Sequence, residues 1–197
     1  MENCRVNVGF LVAKILSLRQ EGWQTIKELI LLISKSFGIA EEAAHVAVTT
    51  FHNYSRLVIK FSDHKNFSSF EKDVYAMNND LSSEGPNALV GLEVSFKEMF
   101  DEQNGMRQDV PNALFYMTGK KCSQEEDQIC PKSEFRQWRK KFLKRNISLF
   151  GIGVGNDMSY QNEMELLVGN NFYRQRNISH LLTAEFRRNL AHCDGKF

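Results

Sequence analysis

The strongest constraint on this chain is a set of short, nearly continuous apolar runs. "NALFYMT" (112–118) and "ISLFGIGVG" (147–155) read as strands covered on both faces, the pattern of a central parallel sheet. "VNVGFLV" (6–12) is a third such run. Amphipathic stretches alternate with them. Residues 21–37 place Trp23, Ile26, Ile30, Ile33 and Phe37 on one helical face. "HVAVTTF" (45–51) and "RLVIKF" (56–61) are strands joined by "HNYS", short enough for a hairpin. Helices are predicted over 67–77, with Ser68 or Ser69 as the cap, and over 83–100, with Pro86 in the first turn and Leu89, Leu92 and Phe96 inward. Further helices are predicted over 133–145, over 159–169 (stopped by Gly169) and over 178–190, with an edge strand at 171–175.

This order predicts an α/β fold: a doubly wound, mostly parallel six-stranded sheet with one antiparallel edge strand and helices on both faces. Residues 1–197 suit a single domain with a real core. Such sheets place ligands outside the carboxyl ends of their strands, so the informative loops begin after Val12, Asn79 and Thr118.

Charge and hydropathy exclude several classes. The formal charge of +1 steers the chain to neither nucleic acid nor a membrane surface. No run reaches the roughly 18–20 apolar residues of a membrane span, since Lys14 interrupts "VGFLVAKIL". Met1 is followed by a polar "ENC", so no signal peptide is read. That fits a cytosolic protein, or a mature domain cut from a longer secreted chain.

The cysteines favour the second. Cys4 lies near the start, Cys193 near the end, and Cys122 and Cys130 flank "SQEEDQI". Of the three pairings that four cysteines allow, spacing favours Cys4–Cys193 and Cys122–Cys130. Free thiols and a metal site are the alternatives, but no CxxC knuckle appears, and His192 beside Cys193 is isolated. Glycosylation acceptors of the form N-x-S occur at Asn53, Asn66, Asn146 and Asn177, which agrees with a secreted, oxidising setting.

At this point the chain resembles a von Willebrand factor type A domain over about residues 5–190. "VNVGFLVAKILSLRQEGWQTIKELI" resembles the family's first strand, metal loop and first helix, and "HVAVTTFHNYSRLVIKF" its second and third strands. "GPNALVGLEVSFKEMF" followed by "NGMRQDVPNALFYMTGKK" resembles its third helix, linker and fourth strand, and "ISLFGIGVGN" its "AIGVGN" strand. "TGKK" and "TAEFRR" are similar to the collagen VI subset.

The resemblance implies a metal-ion-dependent adhesion site. Such a site takes Asp-x-Ser-x-Ser from the first loop, a Thr before the third helix and an Asp after the fourth strand, because a hard Mg²⁺ needs oxygen ligands that include carboxylates. Carried over residue by residue, these positions fall on Ala13, Ile15, Ser17, Pro86 and Gly119. One hydroxyl and no carboxylate remain, so the expectation is a lost metal site and no cofactor. A shifted alignment would recruit Asp80 or Glu84 instead.

Other signals are weighed against plainer readings. "GIGVGN" (151–156) lacks the third glycine and the acidic residue of a dinucleotide loop, so it reads as a strand end. The helix over 132–145 turns Phe135, Trp138 and Phe142 inward and Arg136, Arg139, Lys140, Lys141, Lys144 and Arg145 largely outward. That basic face reads as a solvated surface or as a patch for a sulfated glycosaminoglycan or an acidic partner. The acidic "EED" (125–127) reads as a solvated excursion, and no histidine is placed in a triad by sequence.

The function expected is a non-catalytic extracellular protein–protein interaction domain for matrix assembly or cell adhesion, metal-independent, secreted into the extracellular matrix. Its partners would be matrix proteins or other type A modules, with no nucleic acid and no membrane insertion. The alternative is a collagen- or glycosaminoglycan-binding adhesion module using the basic helix. An α/β enzyme is the third reading, and it finds no nucleophile–base pair at the strand ends.

Overall fold

The computed structural model describes residues 4–15, 19–78, 86–122 and 130–193. The apolar runs form the middle of one sheet. Its strands are β1 (Cys4–Ala13), β2 (Ala44–Phe51), β3 (Ser55–Ile59), β4 (Asn112–Thr118), β5 (Ile147–Gly153) and β6 (Phe172–Arg174), in the spatial order β3-β2-β1-β4-β5-β6. All neighbours are parallel except β2–β3, the hairpin pair, which leaves β3 as an antiparallel edge. A two-residue strand, β7 (His192–Cys193), pairs antiparallel with the start of β1 and sets Cys193 opposite Cys4. Sequence analysis did not predict it.

The helices are α1 (Arg19–Phe37), α2 (Phe67–Ala76), α3 (Ala88–Val94), α4 (Lys132–Lys144), α5 (Gln161–Val168) and α6 (Ala184–Leu190). Helices α1, α2 and α6 cover one face of the sheet, and α3, α4 and α5 the other. Phe10, Phe115 and Phe150 stand in register on adjacent strands and stack at 5.5 and 5.0 Å between ring centroids. Phe186 of α6 closes this row against Phe150 and Phe37. On the opposite face small residues admit the helices: a Cβ on Gly151 would collide with Met164 of α5, and one on Gly91 with Phe51 and Leu11.

Several boundaries differ from expectation. The cap of α2 is Asn66, whose Oδ1 accepts from the Ser69 N–H, rather than Ser68 or Ser69. Pro86 lies before the cap of α3 rather than in its first turn. The cap is Asn87, which accepts from the Leu89 N–H. Helix α3 then widens into a π turn over Ser95–Met99. Arg145 closes that turn, donating to the Phe96 and Phe100 carbonyls at 2.6 Å each. The closing helix is split: Thr183 caps α6, and a 3₁₀ turn over Ser179–Leu182 precedes it.

A polar network seals the lower end of the sheet. Asn7 is fully buried in β1, and its Nδ2 donates to the Arg107 carbonyl and to Asn112 Oδ1. The Arg107 guanidinium donates to the Val6 and Ala43 carbonyls. His45, 5% exposed, places Nε2 2.9 Å from the Glu41 carbonyl. Burial holds the His45 pKa below its ordinary value. The Glu41 hydrogen bond opposes that shift, and Arg107 adds to it.

The unfolded chain therefore takes up a proton at His45 before the folded chain does. Its contribution to stability is present above about pH 6.5 and is lost as pH falls below that value. The unfolding free energy of the wild type relative to His45→Gln, followed by urea denaturation, should fall between pH 7.5 and 5. A difference independent of pH would show that His45 is not held neutral.

Candidate functional site

Parallel strands β1, β4 and β5 end together, and the turn that follows β4 meets the start of α3. Four of the five positions that the family resemblance marks fall among the described residues. Ala13 and Ile15 are buried, at 0% and 1% exposure. Pro86 and Gly119 are buried as well. Ser17, Asp80 and Glu84 lie outside the described residues. Between Ala13 and Ile15, Lys14 is 5% exposed and donates from Nζ to Asn78 Oδ1 at 2.8 Å. Lys27 of α1, 7% exposed, donates to the Tyr75 and Met77 carbonyls at the C-terminal end of α2. Desolvation lowers both lysine pKa values.

Among the described positions, this chemistry does not fit a divalent cation. The described positions offer two apolar side chains, a proline and a glycine, while Lys14 brings an ammonium group into the same turn. Among the described residues no three His, Cys, Asp or Glu side chains are grouped to hold a metal.

The turn after β4 is instead tied down by sulfur and backbone contacts. Cys122 and Cys130 form a disulfide with their Cα atoms 6.0 Å apart. The Ala88 N–H at the start of α3 points at Cys122 Sγ at 3.1 Å. The Cys122 N–H donates to Glu163 Oε2 of α5 at 2.7 Å, and the Lys121 N–H reaches Ser159 Oγ. Thr118 Oγ1 turns back to the Lys120 carbonyl. One short segment thus joins β4, α3 and α5. Burial pushes the Glu163 carboxyl up to about 7, against the opposing pull of the Cys122 N–H, Lys121 and Lys132. The buried Tyr116 hydroxyl beneath is pushed up by desolvation and by the Glu163 charge. At the other end of the chain, Cys4 is also disulfide-bonded, and no described cysteine is free.

The basic helix separates into two sets. Arg145 is occupied with the π turn and lies 4.6 Å over the Phe96 ring. Arg139 packs so closely on Gly169 that a Cβ there would strike its guanidinium. Lys141 sits 4.0 Å over the Trp138 ring. Arg136, Lys140 and Lys144 are exposed. Asn53, Asn66, Asn146 and Asn177 are all exposed too. Asn146 follows α4 at a φ of 54°, and Asn66 uses its side-chain oxygen to cap α2.

One grouping escaped sequence analysis. His64 Nδ1 lies 3.0 Å from Ser69 Oγ, and Nε2 lies 3.2 Å from Asp73 Oδ2. Ser69 and Asp73 share a helix face at i, i+4, and that spacing was the available signal. The acid is 54% exposed and the Ser69 hydroxyl donates to the Asn66 carbonyl, so the trio stitches the preceding loop to α2. A nucleophile would need the reverse, a buried acid and an open serine.

The family model described as the von Willebrand factor type A domain matches residues 7–185. Comparison with curated protein sequences finds no match. Among solved structures, 231 chains match. One is proximal thread matrix protein 1 from the mussel byssus, at 16% identity and a TM-score of 0.75, covering 96% of this chain and 48% of that one. A second structure of that protein gives 17% and 0.76, covering 92% and 46%. A third, described as having a zinc-occupied MIDAS motif, gives 17% and 0.70, covering 92% and 47%. The chain therefore spans about half the length of these neighbours, and at such identity the likeness shows the fold.

The raised Glu163 carboxyl generates a prediction. The unfolded chain releases this proton first, so the stability it contributes is present below about pH 4.5 and is lost as pH rises toward 7. Wild-type stability relative to Glu163→Gln should fall over that interval, with the pH-dependence opposite in sign to that of His45. Separately, replacing both Cys122 and Cys130 by Ala should lower the unfolding free energy by about 2–3 kcal/mol in urea melts. An unchanged midpoint would mean that the bridge does not restrain the unfolded chain.

Proposed function

Because this chain belongs to the von Willebrand factor type A domain family, we propose that it is a non-catalytic module of the extracellular matrix that recognises protein partners without a bridging metal ion. Type A domains are protein-interaction modules, and a structural neighbour is a matrix protein. The observation that carries the reading is the turn after β1. Ala13 and Ile15 face inward as packing residues, and a buried lysine lies between them. A cation bridging to a partner's carboxylate would need negative oxygens there. Recognition then falls to helix faces and sheet-top turns, with other matrix proteins or further type A modules as partners.

The exposed acceptor asparagines and the disulfides support secretion. A second reading, direct capture of collagen or a sulfated glycosaminoglycan, draws on the exposed cations of α4.

Calorimetric titration with Mg²⁺ tests metal independence. No saturable binding tighter than about 1 mM is expected, and a micromolar site would overturn the reading. Expression through a secretory pathway tests the compartment. The product should show no thiol that reacts under native conditions and should lose mass on treatment with an N-glycosidase. Four reactive thiols and an unmodified mass would place the domain elsewhere.

A further inference from the structure

We propose that the solvent face of α4 is a docking ridge for a linear sulfated polysaccharide, built from Lys132, Arg136, Lys140 and Lys144. This deepens the second reading above and rests on its extracellular setting.

The four residues are spaced by four along one helix, so each stands nearly above the last, and the row leans slowly across the exposed face. Twelve residues of rise carry the row over about 18 Å. All four are exposed. Phe135, Trp138 and Phe142 occupy the opposite side and fix that side against the sheet, so the ridge cannot turn inward.

Among the described residues the ridge carries little opposing charge. The described ion pairs of this chain hold Arg5, His64 and Lys97, and none involves these four residues. Lys132 is within electrostatic reach of Glu163 at the N-terminal end. Glu134, the one acid of α4, is half-buried in its first turn. Arg139, Lys141 and Arg145, which the helical period groups with the others, are engaged with Gly169, Trp138 and the π turn. The structure thus narrows six sequence candidates to three and adds Lys132.

A protein with a net charge of only +1 has no general attraction for polyanions, so binding here would come from local density. A row of exposed cations that no described ion pair occupies matches a rod of repeating anions. Nucleic acid fits less well, because the large exposed aromatics among the described residues, Tyr54 and Tyr75, stand in the β2–β3 turn and on α2 and offer no stacking platform beside the ridge. An anionic membrane fits less well, because Leu143 is the only large apolar side chain exposed among the described residues of α4.

The test is retention on immobilised heparin, with the affinity for heparin in solution measured at about 0.15 M salt, a concentration at which screening is strong but incomplete. The quadruple variant K132Q/R136Q/K140Q/K144Q is compared with R56Q/K60Q/K65Q/K72Q, which removes the same charge from β3, α2 and the turn between them. Thermal melts confirm that both fold.

The ridge variant should lose at least about tenfold in affinity and elute at lower salt, while the control stays within about twofold of wild type. Equal losses in the two variants, or a wild type that is not retained, would overturn the proposal. So would equal retention of the wild type on double-stranded DNA, or its sedimentation with phosphatidylserine vesicles at the same salt. None of these outcomes bears on the metal-free matrix reading, which the Mg²⁺ titration and the thiol and glycan analysis decide.

Discussion

Everything in this fold is arranged around the burial of β1. The strand is hydrogen-bonded along both edges, to β2 and β4, and covered on both faces by helices. From Val6 to Ala13 its side chains are out of contact with water. A strand in that position admits a polar side chain only where every donor and acceptor finds a partner. Asn7 meets that condition through Arg107 and Asn112 at the lower end. At the upper end β1 closes with Ala13, and the parallel neighbours finish at the same height. The ends of these strands are therefore crowded together by the sheet itself.

That crowding has been stabilised with what the chain has available. Lysines reach across the gap: Lys14 holds Asn78, and Lys27 holds the last carbonyls of α2, where the helix dipole favours a positive group. The disulfide segment after β4 rests on the first amide of α3 and on Glu163 of α5. Ammonium groups and sulfur thus connect neighbouring elements. Among the described residues these contacts are internal.

The sequence was most legible where the apolar pattern is strong. The run at 112–118 coincides with β4, and the inward triplet of α4 was read from its period. Patterns with several solutions misled. Asn66 and the two following serines are all good caps, and only the packing of α2 selects the asparagine. Thr183 interrupts a helix whose apolar period continues through it. Two residues of β7 carry no pattern at all. In α4 periodicity separates inside from outside, but it cannot show that Arg139 and Arg145 are held by neighbouring elements, since those contacts come from residues far away in sequence.

The pairing of β7 with β1 brings residues 4 and 193 side by side at the end of the sheet away from the crowded turns. Were this domain pulled by chain attached at both ends, tension would fall on that two-residue ladder and on the disulfide at Cys4, in an opening, unzipping direction. The aromatic row beneath would carry almost no load until that junction yielded. Such a module could hang beside a stretched fibre like a bead on a loop, keeping its shape while the cable around it extends.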